Sequence, residues 1–220
     1  MKRYFDAFLA LIFPNRCANC QTLTEDLLCA PCRSQIARIP EPMKGSPGTA
    51  CDLLISCGSY HGPLEAAIKA VKFQGKRRFA KSLALMILDA VSTPETHELI
   101  DSCDVIVPVP LHPSRRRSRW FNQAEDIAAI LGDLIDKPVQ PDMIERVRNT
   151  HPQFDPPREE RWRNLQGAFR IPQRGSLPQT IALVDDIATT GATLHECALA
   201  LKNRGVQRVI GVTVALTQIG

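Results

Sequence analysis

The stretch 181–193, which reads IALVDDIATTGAT, limits what this chain can fold into more than any other part of it. Its first four residues are apolar without alternation, which predicts a parallel strand covered on both faces. Asp185 and Asp186 follow, where we expect that strand to end. Ligands of open α/β sheets lie outside the carboxyl ends of the strands, so the two carboxylates are placed to accept hydrogen bonds from the vicinal diol of a ribose.

A loop rich in threonine and glycine comes next and leads into a predicted helix over 192–204. Free N–H groups at a helix N-terminus bind phosphate, Gly191 lets the backbone approach the anion, and threonine hydroxyls add donors. A diol site and a phosphate site this close together predict one ligand, a sugar phosphate. The predicted phosphate loop comprises Ala188, Thr189, Thr190, Gly191, Ala192 and Thr193.

Two other interpretations of the same stretch are open. Four apolar residues followed by two acids also occur in the Walker B strand of ATPases, but that class needs a G-x-x-x-x-G-K-[ST] loop, which this sequence lacks. A solvated acidic turn before a capped helix is the purely structural interpretation. The match over the whole stretch 181–193, in the order strand, loop and helix, favours the sugar-phosphate site.

Two pairs of cysteines in C-x-x-C spacing, Cys17 with Cys20 and Cys29 with Cys32, form a second constraint. Zinc takes four tetrahedral thiolates, and a C-x-x-C turn directs two sulfurs at one ion. With four protein ligands the metal would stabilise the fold and would not catalyse. We therefore predict one structural Zn²⁺ in a small zinc ribbon, with a set of reduced, buried cysteines as the alternative. The remaining cysteines, which lack this spacing and are expected to be core or surface thiols, are Cys51, Cys57, Cys103 and Cys197.

Length and composition set the broad class of protein. The 220 residues suggest one to two domains, and 44% hydrophobic with 23% charged residues argues against wholesale disorder. The first 14 residues hold an apolar run far shorter than the ~20 residues of a membrane span, and no small-x-small cleavage site follows it. We expect a short packing helix there and no membrane span. Cysteine spacing that favours metal over disulfides predicts a cytoplasmic protein.

The chain divides into three predicted parts. Residues 1–39 form an N-terminal helix and the four-cysteine module, 40–50 form a linker rich in proline and glycine, and 51–220 form the main domain. Predicted strands of the main domain cover 52–57, 104–110, 181–184 and 208–216. One predicted helix begins at Pro63, and three others cover 79–90, 121–136 and 192–204. The last helix and strand form a βαβ crossover with strand 181–184, as in an α/β fold.

Basic residues concentrate in 114–119 and 158–163, although the net charge of +4 is mild. The first cluster follows the strand over 104–110 and precedes a predicted helix. It is therefore a candidate for binding an anionic group, with a charged surface turn as the alternative. The second cluster lies in 151–163, which has too many prolines and charges for a core element. We predict a mobile segment there, either a lid or a disordered surface loop.

The stretch 181–193 resembles the 5-phosphoribosyl-1-pyrophosphate (PRPP) signature of type I phosphoribosyltransferases, with every position filled. The resemblance implies their α/β fold, a central parallel sheet flanked by helices, here preceded by the zinc ribbon. It implies an enzyme that binds PRPP or a related ribose phosphate, with Asp185 and Asp186 as catalytic residues on the ribose hydroxyls and Mg²⁺ on the leaving pyrophosphate. The implied pyrophosphate loop contains Pro110, Leu111, His112, Arg115, Arg116 and Arg119, and the implied flexible loop contains Gln153, Arg158, Arg161 and Asn164. No residue set in the sequence selects an acceptor.

A narrower resemblance covers almost the whole chain. The run 107–112, VPVPLH, and the run FNQ at 121–123 are similar to the ComF family, with Trp120 where that family usually has a glycine. Further matches, besides the N-terminal cysteines, are Arg115, Arg119, Gln153, Arg161, Asn164, Ala168 and Phe169. The resemblance implies a link to DNA uptake in natural competence, or to gluconate use in some relatives.

The same resemblance leaves a second function open: a non-catalytic module that binds single-stranded DNA, with other competence proteins as partners. Arginines interleave with aromatic residues at 115–121 and at 161–163, a composition suited to single strands. The alternative is that Trp120 and Trp162 both pack against the sheet.

Overall fold

A computed structural model describes residues 15–44, 49–73, 77–112, 121–148, 158–172 and 175–217. The predicted N-terminal helix lies outside the described residues. So do several predicted site positions, namely Arg115, Arg116, Arg119, Trp120 and Gln153.

Helices and strands alternate along much of the chain. The helices are α1 (Ala30–Ser34), α2 (Gly62–Phe73), α3 (Ala80–Ala90), α4 (Pro94–Asp101), α5 (Gln123–Ile135), α6 (Arg158–Leu165) and α7 (Ala192–Lys202). The strands are β1 (Met43–Lys44), β2 (Leu53–Ser59), β3 (Val105–Pro108), β4 (Glu145–Arg146), β5 (Phe169–Arg170), β6 (Thr180–Ala188) and β7 (Arg208–Leu216).

A five-stranded sheet forms the centre of the protein, in the order β1-β2-β7-β6-β3. Strands β2, β7, β6 and β3 run parallel, and the short β1 is antiparallel to β2. Strands β4 and β5 form a separate antiparallel pair. The predicted fold class is confirmed: this is an α/β protein with a mostly parallel central sheet flanked by helices.

Both faces of the sheet are covered, which explains the unbroken apolar run in β6. On one face Ala182 and Val184 share a buried cluster with side chains of α2, α3 and α5. On the other, Ile181 and Leu183 share a cluster with α7 and the β4–β5 pair. All four side chains are at most 1% exposed. Since burial of a large aliphatic side chain contributes about 1.5–3 kcal/mol, β6 is firmly held in the core.

Strand β6 is longer than the sequence predicted. Val184 is the last residue of β6 that pairs with β3, as expected, but the ladder with β7 continues from Asp185 opposite Thr213 to Ala188 opposite Leu216. The acidic pair therefore lies inside β6, where the strand loses one neighbour and keeps the other. The cause is the unequal length of the neighbours, because β3 ends at Pro108 and neither Pro108 nor Pro110 has an N–H to donate to a ladder.

The outer edge of β3 is covered by the segment 138–140. The Ile106 N–H donates to the Pro138 carbonyl (2.9 Å), and the Ile106 carbonyl accepts from the Gln140 N–H (2.9 Å). Val139 lies opposite Ile106 in a parallel bridge.

The predicted linker 40–50 contains the strand β1. Met43 pairs with Leu54 and Lys44 with Leu53, so this segment extends the sheet beyond β2. Helix α4 was also not predicted. Pro94 lies in its first turn, and the Thr93 side chain caps it by accepting from the Thr96 N–H.

Of the segment 151–163, for which a lid or a disordered loop was predicted, residues 158–163 belong to helix α6, so an irregular loop is wrong there, and 151–157 lie outside the described residues. Arg158, Arg161 and Asn164, predicted as flexible-loop residues, therefore lie in a helix. Helix α6 packs along α7: the rings of Trp162 and His195 meet edge-on with centroids 4.9 Å apart. A long-range contact of this kind stabilises a helix whose own sequence is too polar to predict it.

The four-cysteine module packs directly on the main domain. Leu27 and Leu28 are 1% exposed and belong to the same buried cluster as α2 and α3. The Ser82 hydroxyl of α3 donates to Asp26 at 2.5 Å. Gly58 permits close contact with the segment after α1, because a Cβ there would lie 2.6 Å from the Ala37 carbonyl oxygen. The predicted boundary between two domains stays a prediction.

Among the described residues, none of the helices has both the length and the apolar character needed to cross a membrane.

Candidate functional site

The acidic pair lies at the carboxyl edge of the sheet with its two carboxylates in different surroundings. Successive side chains of a strand point to opposite faces. Asp186 is 5% exposed and contacts Lys72 of α2. Asp185 is half-buried, and the charges that act on it include Arg146 of β4. The Asp186 N–H donates to the Asp185 carboxylate at 2.8 Å, which fixes the first carboxylate against the backbone.

The two carboxylates also differ in acidity. Burial, and after it the neighbouring Asp186 carboxylate, raise the pKa of Asp185 from 3.8 to about 8, against the lowering effect of Lys72 and Arg146. The pair therefore holds one negative charge more readily than two near neutral pH. A further polar group adjoins it, since Thr213 lies opposite Asp185 in the ladder. The Thr213 hydroxyl is fully buried with no hydrogen-bond partner among the described residues.

The loop 189–191 connects β6 to the N-terminus of α7, as predicted. Gly191 is the N-cap residue and has a φ of +76°, a left-handed conformation that favours glycine. Its carbonyl accepts from the His195 N–H at 2.9 Å, and the Thr190 hydroxyl accepts from the Ala192 N–H at 3.4 Å. A Cβ on Gly191 would lie 2.8 Å from the Thr49 methyl, so the loop is also tightly packed. Thr193, half-buried, lies in the first turn of α7.

The predicted pyrophosphate loop begins at the same edge of the sheet. It follows β3, which is the direct neighbour of β6, and the Val109 N–H donates to the Val184 carbonyl at 2.8 Å. Pro110 is buried, and Leu111 and His112 are half-buried.

The far end of that loop is held by Asn122. Its amide donates to the Val109 carbonyl at 3.0 Å, and its side-chain oxygen caps α5 by accepting from the Ala124 N–H at 3.1 Å. One side chain thus ties the start of the loop to the helix that follows it. The loop arginines themselves lie outside the described residues.

Helix α6 lies beside the phosphate loop, because it packs on α7, whose first turn completes that loop. Besides the Trp162–His195 contact, the Gly167 N–H donates to the buried Glu196 carboxylate at 2.8 Å. Asn164 is half-buried in α6. The ring of Trp162 contacts His195 of α7, whereas the alternative to base stacking placed this tryptophan against the sheet.

Lys72 is a site residue that the sequence did not reveal. Its ammonium lies 3.0 Å from the Asp186 carboxylate, and the two residues are 114 positions apart in the chain. From the sequence alone, the basic run 69–78 has two interpretations, a turn that contacts phosphate or a solvated helix end. No local pattern distinguishes Lys72 from its basic neighbours, so only the tertiary contact identifies it.

The four paired cysteines converge, as predicted. The sulfurs of Cys17, Cys20, Cys29 and Cys32 all lie within 4.8 Å of one another. A tetrahedral zinc site with Zn–S bonds of about 2.3 Å places its sulfurs about 3.8 Å apart. The Cys20 and Cys29 sulfurs are 3.6 Å apart. The cluster is therefore compatible with a structural zinc ion.

The four thiols differ in acidity: the pKa values of Cys17 and Cys20 are lowered, whereas burial and hydrogen bonds shared among the cysteines raise those of Cys29 and Cys32. Cys17 Sγ accepts from the Cys29 N–H at 3.4 Å, and Cys32 Sγ accepts from the Asn19 amide at 3.4 Å. Hydrogen bonding to the Thr22 side chain and backbone lowers the pKa of Cys20 to about 6. Deprotonated cysteine is the form that binds zinc.

The fold and this site together define an α/β protein with a mostly parallel five-stranded sheet flanked by helices and an N-terminal four-cysteine module. The chain is 28% identical to competence protein F of Haemophilus influenzae over 219 residues, which cover 90% of this chain and 95% of that protein. It is 32% identical to the DNA utilization protein YhgH of Salmonella typhimurium over 158 residues, 71% of this chain and 68% of that protein. It is 26% identical to competence protein ComFC of Streptococcus pneumoniae over 206 residues, 84% and 86% of the two chains. No family model matches the sequence.

These relatives show that the chain belongs to the ComF family. The family predicted from the sequence is thereby confirmed.

Proposed function

We propose that this protein binds PRPP, or a related ribose phosphate, together with Mg²⁺ at the carboxyl edge of its sheet, as part of DNA uptake or nucleotide metabolism. The observation that carries the proposal is the connection from β6 to α7. It combines two acidic residues with a Thr/Gly loop whose Gly191, at a φ of +76°, precedes an 11-residue helix. The names of the relatives, competence protein and DNA utilization protein, support the link to DNA.

Each part of the ligand has a proposed partner. The Asp185 and Asp186 carboxylates accept from the ribose hydroxyls, and the backbone N–H groups at the start of α7 bind the 5-phosphate. The loop from Pro110 onward, with its arginines, faces the pyrophosphate. Mg²⁺ would neutralise the charge on the leaving pyrophosphate. The site residues named here act through their charges, and none of them is proposed as a general base.

The four cysteines are proposed to hold one zinc ion with a structural role. All four positions of the ion are then filled by protein, so the metal binds no substrate. Because the module shares the core of the main domain, the zinc would stabilise the whole protein and not the module alone.

The proposed ligand is tested by calorimetric titration of PRPP with Mg²⁺ into the wild type and into the double variant Asp185→Asn, Asp186→Asn. We expect binding to the wild type and a loss of affinity in the variant, because charged acceptors to the diol are removed while side-chain volume is kept. Circular dichroism and thermal melting of the variant confirm that it is folded. Equal affinity in the two proteins would remove the sugar-phosphate interpretation.

The second candidate is a module that binds single-stranded DNA, which the name DNA utilization protein favours. Replacing Arg115, Arg116, Arg117 and Arg119 together separates the candidates. Each phosphate of a single strand that an arginine no longer neutralises should reduce the slope of log affinity against log salt by roughly 0.7. We expect the quadruple variant to lose PRPP affinity with no such change in oligonucleotide binding. The opposite result would favour the DNA-binding module.

A further inference from the structure

The last turn of α2 reaches the acidic pair through Lys72. The ammonium of Lys72 lies 3.0 Å from one carboxylate oxygen of Asp186 and 3.4 Å from the other. The Lys72 side chain is 22% exposed and that of Asp186 is 8% exposed. This ion pair is thus largely shielded from solvent. If a substitution deletes one partner of such a pair, the other is left as a buried charge without a counterion.

A second lysine on the same helix provides a comparison. Lys69 pairs with Glu65 at 2.6 Å, in the i,i+4 spacing of a helix surface, and its side chain is 53% exposed. Pairs of this kind contribute little, because water screens them. Lys72 differs in that it joins two elements that are distant in the sequence, α2 and β6.

The groups that face the acidic pair come from several elements. Tyr60, at the end of β2, is close enough to Lys72 and Asp186 for both charges to act on its phenol. Arg146 of β4 acts on Asp185 from the other side, and Cys197 of α7 is a further titratable group near Asp185. Within the part of the chain that the structure describes, Lys72 is the cation that contacts the Asp186 carboxylate directly.

We propose that Lys72 is a positioning residue of the site: its ammonium orients the Asp186 carboxylate and balances its charge, so that this carboxylate accepts from the ribose hydroxyls. The inference rests on the proposed function. Two adjacent carboxylates repel each other, so the negative charge of the pair is most stable on the carboxylate that contacts a cation. Lys72 supplies that cation from a helix outside the PRPP signature.

The first test compares PRPP binding with Mg²⁺ across a range of pH in the wild type, Lys72→Met, Lys72→Arg and Lys69→Met. Lys72→Met removes the charge and keeps the chain length. We expect its affinity to fall roughly tenfold at neutral pH and the low-pH limit of binding to move upward by about one to three pH units. Lys72→Arg should restore both values in part, and Lys69→Met should match the wild type.

A second test needs no ligand. In protein with ¹³C-labelled aspartate side chains, the NMR titration of the acidic pair should move to higher pH in Lys72→Met and stay unchanged in Lys69→Met. If PRPP does not bind the wild type, the proposed function fails while this titration still tests Lys72. If the wild type binds PRPP and Lys72→Met behaves as Lys69→Met in both measurements, the role of Lys72 is overturned and the proposed function stands.

Discussion

Gly191 and Gly205 lie at the two ends of α7, and both have positive φ angles, +76° and +92°. The two glycines differ in their surroundings. A Cβ on Gly191 would meet the Thr49 methyl at 2.8 Å, whereas a Cβ on Gly205 would have no atom within 4 Å. A side chain at either position is therefore held in the same unfavourable backbone conformation. Only at position 191 would the added Cβ also contact a neighbouring side chain, next to the phosphate loop.

We expect Gly191→Ala and Gly205→Ala each to reduce the free energy of unfolding by about 1–2 kcal/mol, because each forces an L-residue into the left-handed region. Only Gly191→Ala should also weaken PRPP binding, since it moves the N–H groups that face the phosphate. Urea denaturation and calorimetric titration of both variants check this. Equal ligand affinity in the two variants would contradict the role of the loop.

The raised pKa of Asp185 makes the stability of the protein depend on pH. A carboxyl whose folded-state pKa lies above its unfolded value destabilises the folded state as pH rises from about 4, and this loss is complete near its folded pKa of about 8. Asp185→Asn removes this group. We therefore expect the variant to have a higher Tm than the wild type at pH 8–9, by about 2–4 °C for each kcal/mol by which its free energy of unfolding is larger. Near pH 4 the two Tm values should differ little. Thermal melts across this range test it, and a difference that does not vary with pH would refute it.

Helix α6 depends on α7 for its stability. Its sequence is highly charged, and it is anchored by the Trp162–His195 contact and by the bond from the Gly167 N–H to Glu196. Elements with few buried contacts open most readily. A helix anchored in this way next to a proposed ligand site is suited to move when the ligand binds.

We expect Glu196→Ala to increase hydrogen exchange in 158–167, because it removes the acceptor of the Gly167 N–H and leaves that donor unpaired. Leu199→Ala, at a position of the same helix that is 38% exposed, is the control and should leave the exchange of this segment unchanged. Unchanged protection in Glu196→Ala would show that the tryptophan contact alone holds α6.

The sequence predicted those elements whose signal is local. The apolar run of β6, the glycine at the start of α7 and the C-x-x-C turns each depend on neighbouring residues, and all of them are present in the structure. It missed what depends on distant partners. Helix α6 requires α7, the extension of β6 requires β7, and the role of Lys72 requires a carboxylate 114 residues away. No periodicity within a short window encodes contacts of this range.

At the scale of the whole molecule, the cysteine module contributes to one continuous core. We expect purified protein to contain one zinc per chain, and removal of zinc by a chelator to lower the Tm of the single unfolding transition. The reason is that Leu27 and Leu28, between the two cysteine pairs, pack with α2 and α3. Metal analysis and calorimetry check this, with recovery on adding zinc but not magnesium. A chelated protein with an unchanged Tm would contradict it.

The strand β1 and the segment 138–140 flank the sheet on its two sides, against β2 and β3. Backbone N–H and C=O groups that a further strand would need are thereby already paired at Leu53–Leu54 and at Ile106. Exposed edges of this kind are the usual place where one chain aggregates with another or captures an extended peptide. A strand from a partner molecule could therefore not pair with β2 at Leu53 and Leu54 or with β3 at Ile106.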